Sequence, residues 1–219
     1  MGYIHLKEMQ INSKFGKILP INLKSNEESI QFYPVEAIFS EIKDYFKKKG
    51  KPDYIWLKGV KNMELFYGFQ ELLKRVKREF PNQKLGVYVN CSLFRYKIVR
   101  KELSQCDLIV TNLNTVNPLT FFKSCVCDEE VNVQAILDGI KTFRKEFEGR
   151  FRVYAILIDG VNDNLNDMLD LKTFLLDIKP DHFSVNTFTG NGFESISDEF
   201  KNKAKDILKN LPFKVSFTF

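Results

Sequence analysis

Tyr54-Ile55-Trp56-Leu57, then Glu64 to Phe80, then Leu85-Gly86-Val87-Tyr88-Val89: these 36 residues, 54–89, decide the fold class. The two short runs are apolar and rich in β-formers. The segment between them repeats apolar residues at spacings of three and four (Leu65, Phe69, Leu72, Val76, Phe80), the stripe of an amphipathic helix. Strand, helix, strand is therefore the repeating unit. Upstream, Lys17–Leu23 predicts a strand, and Pro34-Val35 opens a helix bearing Val35, Ile38, Phe39, Ile42 and Phe46 on one face. Proline suits a first helical turn. Downstream, a helix is predicted near Phe94–Leu103, a strand at Leu108-Ile109-Val110 and, after a long connection, a helix over Val133–Phe147. Strands at Phe151–Ile158, Phe183–Asn186 and Phe213–Phe217 alternate with helices at Asn164–Ile178 and Asp198–Leu211. Such units demand crossover connections and a mostly parallel sheet, either a barrel or an open doubly wound sheet.

The chain has 219 residues, 44% hydrophobic and 28% charged, which fits one domain over 1–219 and excludes a long disordered protein. A core of that size needs no disulfide or structural metal. The first residues, Met1 to Glu8, contain no apolar leader core, and position 6 is Leu6 where a myristoylation signal needs Ser or Thr. No apolar run approaches the ~20 residues of a membrane span, so a cytoplasmic protein without a membrane partner is expected. Charge is uneven: residues 1–101 carry 20 Lys/Arg against 10 Asp/Glu, whereas 102–219 carry 13 against 18. A basic half attracts RNA or another acidic partner through counterion release, or it is a set of solvated helix faces.

Several stretches resemble a family of stand-alone radical S-adenosylmethionine proteins related to the radical enzymes that build the wyosine base of tRNA. Pro20-Ile21-Asn22-Leu23 is similar to that family's first strand, and Phe32-Tyr33-Pro34-Val35-Glu36 to the opening of its first helix. Lys51-Pro52-Asp53-Tyr54-Ile55, Cys106-Asp107-Leu108-Ile109-Val110, Val116-Asn117-Pro118 and Phe121-Phe122-Lys123 continue the likeness. So do Ile136–Gly139, Phe143–Phe147, Leu157–Asp163, Lys179-Pro180-Asp181 and Val185-Asn186-Thr187. The resemblance implies an α/β fold, a partial (β/α)6 TIM-like barrel, with its reactive mouth at the carboxyl ends of the strands.

The departures fall on the chemistry. The family holds a [4Fe-4S] cluster through Cys-x3-Cys-x2-Cys between the first strand and first helix; here the loop between 23 and 32 contains no cysteine. The cluster loop is deleted, and thiolate donors for a cluster are missing there. The family's Ser-Gly-x-Gly-Glu-Pro becomes Lys58-Gly59-Val60-Lys61-Asn62-Met63, so a carboxylate is lost and cations stand where an ammonium and a sulfonium would bind. Ser-Leu-Asp-Ala becomes Asn112-Leu113-Asn114-Thr115, Thr-Asn-Gly becomes Val89-Asn90-Cys91, and a glutamate position becomes Tyr154. Gly59 and the turn Gly160-Val161-Asn162-Asp163 remain as vestigial cofactor positions; the same turn reads equally as a strand-to-helix connection capped by Asp163. The resemblance thus implies a degenerate member, with no iron-sulfur cluster or S-adenosylmethionine expected as cofactor.

Other chemistry is sparse. Cys125-Val126-Cys127 could join Cys91 and Cys106 in a metal site only if the fold gathered them, and four reduced thiols is the plain alternative. His5 and His182 lack metal-ligand spacing, and His182 reads as structural. Asp159, Asp163, Asp167 and Asp170 read as a solvated helix face. Asparagines cluster at strand carboxyl ends: Asn22, Asn90, Asn112, Asn114 and Asn186, joined by Lys58. Buried amides need partners, so this ring either bonds to itself or forms a pocket for a polar ligand. The basic surface comprises Lys47 and Lys48, then Lys74, Arg75 and Arg78, then Lys97 and Arg100. These features predict a non-catalytic binding or accessory protein, with RNA, an acidic partner or an active radical enzyme as partner. The alternative is an enzyme using the polar mouth or an atypical cysteine-bound cluster.

Overall fold

The computed structural model describes residues 6, 10–12, 16–22, 34–60, 63–125, 131–190, 192 and 194–219, with the backbone alone described at 11, 12, 22, 59 and 63–66. The expected deletion of a cluster loop, between 23 and 32, lies outside these residues, as does Cys127. Seven parallel strands run in sequence order: β2 (Gly16–Asn22), β3 (Tyr54–Val60), β4 (Lys84–Val89), β5 (Leu108–Asn112), β6 (Arg150–Leu157), β7 (His182–Thr187) and β8 (Lys214–Thr218). A short β1 (Gln10–Asn12) pairs antiparallel with β2. The connecting helices are α1 (Val35–Lys49), α2 (Met63–Glu79), α3 (Lys97–Leu103), α4 (Pro118–Ser124), α5 (Val133–Glu146), α6 (Leu165–Ile178) and α7 (Asp198–Leu208). Six strand-helix crossovers and a closing strand thus form the predicted α/β architecture.

Along each strand, alternate residues enter the core beneath the helices. Leu19, Ile21, Ile55, Leu57, Val87, Ile109, Phe151, Val153, Ala155 and Val185 are all at most 1% exposed, and they pack with Ile38, Leu72, Leu103, Ile140 and Leu171 from the helices. β6 shows the period most plainly: from Phe151 onward every second residue is buried and those between are half-buried, as expected where one face is dry. Two glycines permit close approach. A Cβ on Gly86 would lie 2.3 Å from the Trp56 ring, and one on Gly139 of α5 would lie 2.1 Å from the Phe94 carbonyl oxygen.

The aspartate that precedes every second strand is a clip. Asp53 accepts from the Lys17 amide at 2.6 Å, Asp107 from Leu85 at 2.8 Å and Asp181 from Phe151 at 2.7 Å, while each aspartate's own amide donates to the carbonyl of the same residue. The pairs β2/β3, β4/β5 and β6/β7 are therefore fastened by one device, satisfying amides that the ladder leaves over.

Three elements differ from the sequence reading. The helix near Phe94–Leu103 is a 3-10 turn, Cys91–Arg95, followed by α3, because Asn90 caps the turn through the Ser92 amide (2.9 Å) and Tyr96 is extended. The long connection contains α4, started by Pro118 and capped by Asn117, which accepts from Leu119 and Thr120. α6 is capped by Asn164, bonded to the Asp167 amide at 3.0 Å, and not by Asp163.

Candidate functional site

The strand face opposite the helices has its own floor and its own mouth. Ile18, Tyr54 and Leu108 close the amino end and are nearly inaccessible. Toward the carboxyl ends the same face carries Trp56, Tyr88, Arg152, Tyr154, Ser184, Asn186 and Ser216, all half-buried, and Lys58, which is exposed. Register places them side by side: Asn112, Tyr154, Ser184 and Ser216 form one row, Ile156, Asn186 and Thr218 the next, and Lys58 pairs with Asn22. Strands β2 to β8 contain no aspartate or glutamate. This inner face therefore offers cations, hydroxyls and amides without a carboxylate from its own strands.

At its centre the phenols of Tyr88 and Tyr154 are hydrogen-bonded at 2.6 Å, with ring centroids 5.8 Å apart. Burial is the main cause that pushes both phenol pKa values up, so they remain protonated donors at neutral pH. Deeper in, the Arg152 guanidinium meets His182 Nδ1, and His182 Nε2 lies 2.8 Å from Ser216 Oγ. A guanidinium can only donate, so Nδ1 accepts and Nε2 carries the proton toward Ser216. His182 is 5% exposed and structural, as its sequence suggested. Desolvation lowers the Arg152 pKa without leaving it neutral at ordinary pH.

The asparagine ring divides into two parts. Asn114 accepts from the Ile156 amide (2.9 Å) and donates to the Ser124 carbonyl (2.7 Å). Asn162, 1% exposed, accepts from Ile158 (2.7 Å) and donates to the carbonyls of Ile156 (2.8 Å) and Asn114 (3.3 Å). Asn112 accepts from the Cys91 amide and donates to Cys125 Sγ, and Asn90 caps the 3-10 turn. These four amides stitch loops to strand ends. Asn186 and Lys58 instead face the groove, and Asn22 shares the Lys58 register. Gly160 has φ +67° and open space where a side chain would point, and Gly59 lies in β3.

The acidic run is not uniformly solvated. Asp167 is 4% exposed and accepts from Thr115 Oγ1 at 3.3 Å in the first turn of α6, where a helix amino terminus favours negative charge. Among the basic residues, Lys47, Lys74 and Lys97 are exposed. Lys48 pairs with Asp44 at 2.9 Å, Arg78 with Glu79 at 3.4 Å, and Arg75 grips Glu36 while stacking over Phe39. Arg100 donates to the Phe94 carbonyl at 2.6 Å, which makes it a brace for the 3-10 turn. A separate cleft of about 630 Å³ lies among α4, α5 and α6, on the helix-covered side. Lys141 and Asp177, ion-paired at 2.7 Å, are among the residues that line it.

Sequence reading missed the meeting of Cys91 and Cys125. The Cys91 thiol donates to the Cys125 sulfur at the carboxyl ends of β4 and β5, whereas Cys106 sits at the amino end of β5. The distance of 34 residues between Cys91 and Cys125 hid the pair. Among the described residues no three His, Cys, Asp or Glu side chains are grouped to hold a metal ion. Also among the described residues, no helix is long and apolar enough to cross a membrane.

No protein-family profile matches the chain. The sequence is 25% identical over 178 residues to the GTPase Obg of Brachyspira hyodysenteriae, covering 80% of this chain and 26% of that protein. It is 26% identical over 178 residues to a UPF0026 protein of Helicobacter pylori, covering 81% of this chain and 56% of the relative. The chain thus spans about half or less of the curated relatives it matches. Among solved structures, a radical SAM methyltransferase from Sphaerobacter thermophilus superposes over 96% of this chain and 68% of its own, with TM-score 0.70 and 12% identity. The FeFe-hydrogenase maturase HydG from Carboxydothermus hydrogenoformans covers 92% of this chain and 58% of its own (TM-score 0.58, 14% identity). A domain of pyruvate-formate lyase-activating enzyme from Bacteroides vulgatus covers 69% of this chain and 92% of its own (TM-score 0.56, 18% identity). The fold is that of radical SAM enzymes.

The described thiols lie two at one end of the sheet and one at the other, and the sequence has no cysteine between Asn22 and Pro34.

Proposed function

We propose that the chain is a binding or accessory protein on a radical-SAM-like barrel, that it holds a small anionic ligand against the inner face, and that it performs no cluster-dependent radical chemistry. The observation that carries this reading is the inner face itself, where Lys58, Arg152, Ser184 and Asn186 line a half-accessible surface built from strands without a carboxylate. A concave polar surface at strand carboxyl ends is where this class of fold binds ligands. Inorganic pyrophosphate, titrated calorimetrically at low salt, is the probe. Binding that falls at least about tenfold in Lys58→Ala, with an unchanged unfolding midpoint, supports the reading; absent binding, or binding indifferent to Lys58, sinks it.

The exposed Lys47, Lys74 and Lys97 on α1, α2 and α3 favour an acidic macromolecule, and RNA in particular, on the outer helices. RNA held there loses affinity steeply between low and physiological salt, whereas salt-independent failure to bind removes RNA as a partner. Copurification with a protein carrying a three-cysteine cluster motif would instead identify an active radical enzyme as the partner.

A further inference from the structure

Two of the described thiols occupy a site that differs in kind from the third. Cys91 opens the 3-10 turn after β4 and is fully buried; Cys125 ends α4 and is 8% exposed. One side chain spans both: Asn112 takes the Cys91 amide on Oδ1 at 3.4 Å and points Nδ2 at Cys125 Sγ at 4.0 Å. Ser124 Oγ lies 4.0 Å from the same sulfur, and the Asn114 amide and the Cys91 thiol donate to it as well. Asn114 Nδ2 in turn holds the Ser124 carbonyl at 2.7 Å, fixing the loop that carries Cys125.

We propose that Cys91 and Cys125 form a reversible dithiol–disulfide centre, oxidised by small hydroperoxides, at the carboxyl ends of β4 and β5. Asn112 Nδ2 and Ser124 Oγ both lie 4.0 Å from Cys125 Sγ, and donors at that sulfur favour its thiolate over its thiol. The hydrogen bond from Cys91 is the largest cause lowering the Cys125 pKa, against the opposing effect of burial. The other titratable neighbours are Tyr88 of β4 and Tyr154 of β6, whose phenols feel both cysteines. Cys106 is the contrast within the same chain: burial pushes its pKa up, and Asp107 and Glu102 add to the rise.

The chemistry balances with one hydroperoxide. The Cys125 thiolate attacks the outer oxygen of ROOH, the O–O bond breaks, and the alkoxide takes a proton to leave as ROH, giving Cys125–SOH. The Cys91 sulfur then attacks Cys125 Sγ, forming the S–S bond, and the hydroxyl leaves as water with the Cys91 proton. Two thiols lose two electrons, the peroxide gains them, and two equivalents of a small thiol reverse the step by successive exchanges, leaving as their own disulfide.

The test exposes the native full chain to a slight excess of hydrogen peroxide, blocks residual thiols with N-ethylmaleimide and maps the products by mass spectrometry. The expected result is a loss of about 2 Da in a cross-linked Cys91–Cys125 peptide, restored by dithiothreitol. Cys106→Ser keeps the cross-link, and Cys91→Ser leaves a Cys125 sulfenic acid that dimedone traps. On unmodified protein, which removes any question of folding, Cys125 alkylates at least about tenfold faster than Cys106 at neutral pH. A Cys125–Cys127 cross-link, no mass loss where the unfolded chain shows one, or equal alkylation of Cys125 and Cys106 overturns the proposal.

Discussion

The two faces of one sheet, built from the same seven strands, have opposite characters. On the helix-covered face the strand residues are mostly aliphatic or phenylalanine and buried; on the inner face most are cationic, amide, hydroxyl or aromatic, and many are half-accessible. In a full (β/α)8 barrel the interior is itself a packed aliphatic core. Here the buried apolar side chains of the inner face include Ile18, Tyr54 and Leu108 toward the amino end. Stability therefore rests mainly on one face, and the other is the face on which the proposed ligand would sit.

The sharpest way to break this contrast is to cut the packed face. Phe151, fully buried and within 6.0 Å of Phe94 and 5.6 Å of Phe143 by ring centroid, should cost about 3–5 kcal/mol as Phe151→Ala in denaturant unfolding. At the junction of the faces, Asn162→Ala removes three hydrogen bonds and strands the Ile158 amide. Its expected cost is about 1–3 kcal/mol, measured the same way. The packed face also sets an alkaline limit. Burial raises the Cys106 pKa above its ordinary 9.0, so the unfolded thiol ionises first, and stability that is complete below pH 9 is lost as pH rises beyond it. Cys106→Ala should flatten that decline by up to about 1.4 kcal/mol per pH unit in unfolding midpoints measured across pH 8–11. On the inner face, Lys58→Ala should leave stability within about 0.5 kcal/mol, because the side chain is exposed and contributes no packing. A large loss there would mean that the inner face also carries the fold.

The strands and long helices were legible because burial on one side of each element imposes a period, and that period survives in a single sequence. The aspartates before strands were visible only as parts of a resemblance; their clip function needs the neighbouring strand. α4 announced itself as Asn117-Pro118, a cap and a first-turn proline, yet seven residues give too short a stripe to be read as a helix. The asparagine ring was the hardest part. Asn114 and Asn162 find partners 42 and 48 residues away in sequence, so nothing local distinguishes a stitching amide from a ligand-facing one such as Asn186. The Cys91–Cys125 pair was hidden for the same reason, since α4 and two strand ends must all be in place before the sulfurs meet.

The most direct test of the central claim, a barrel of this fold without its cluster chemistry, is the iron and acid-labile sulfide content of the protein after anaerobic reconstitution, with S-adenosylmethionine titrated calorimetrically into the same sample. Substoichiometric iron and sulfide, with no heat of cofactor binding, is the predicted result. A stoichiometric cluster that binds the cofactor would contradict it and make the chain an enzyme.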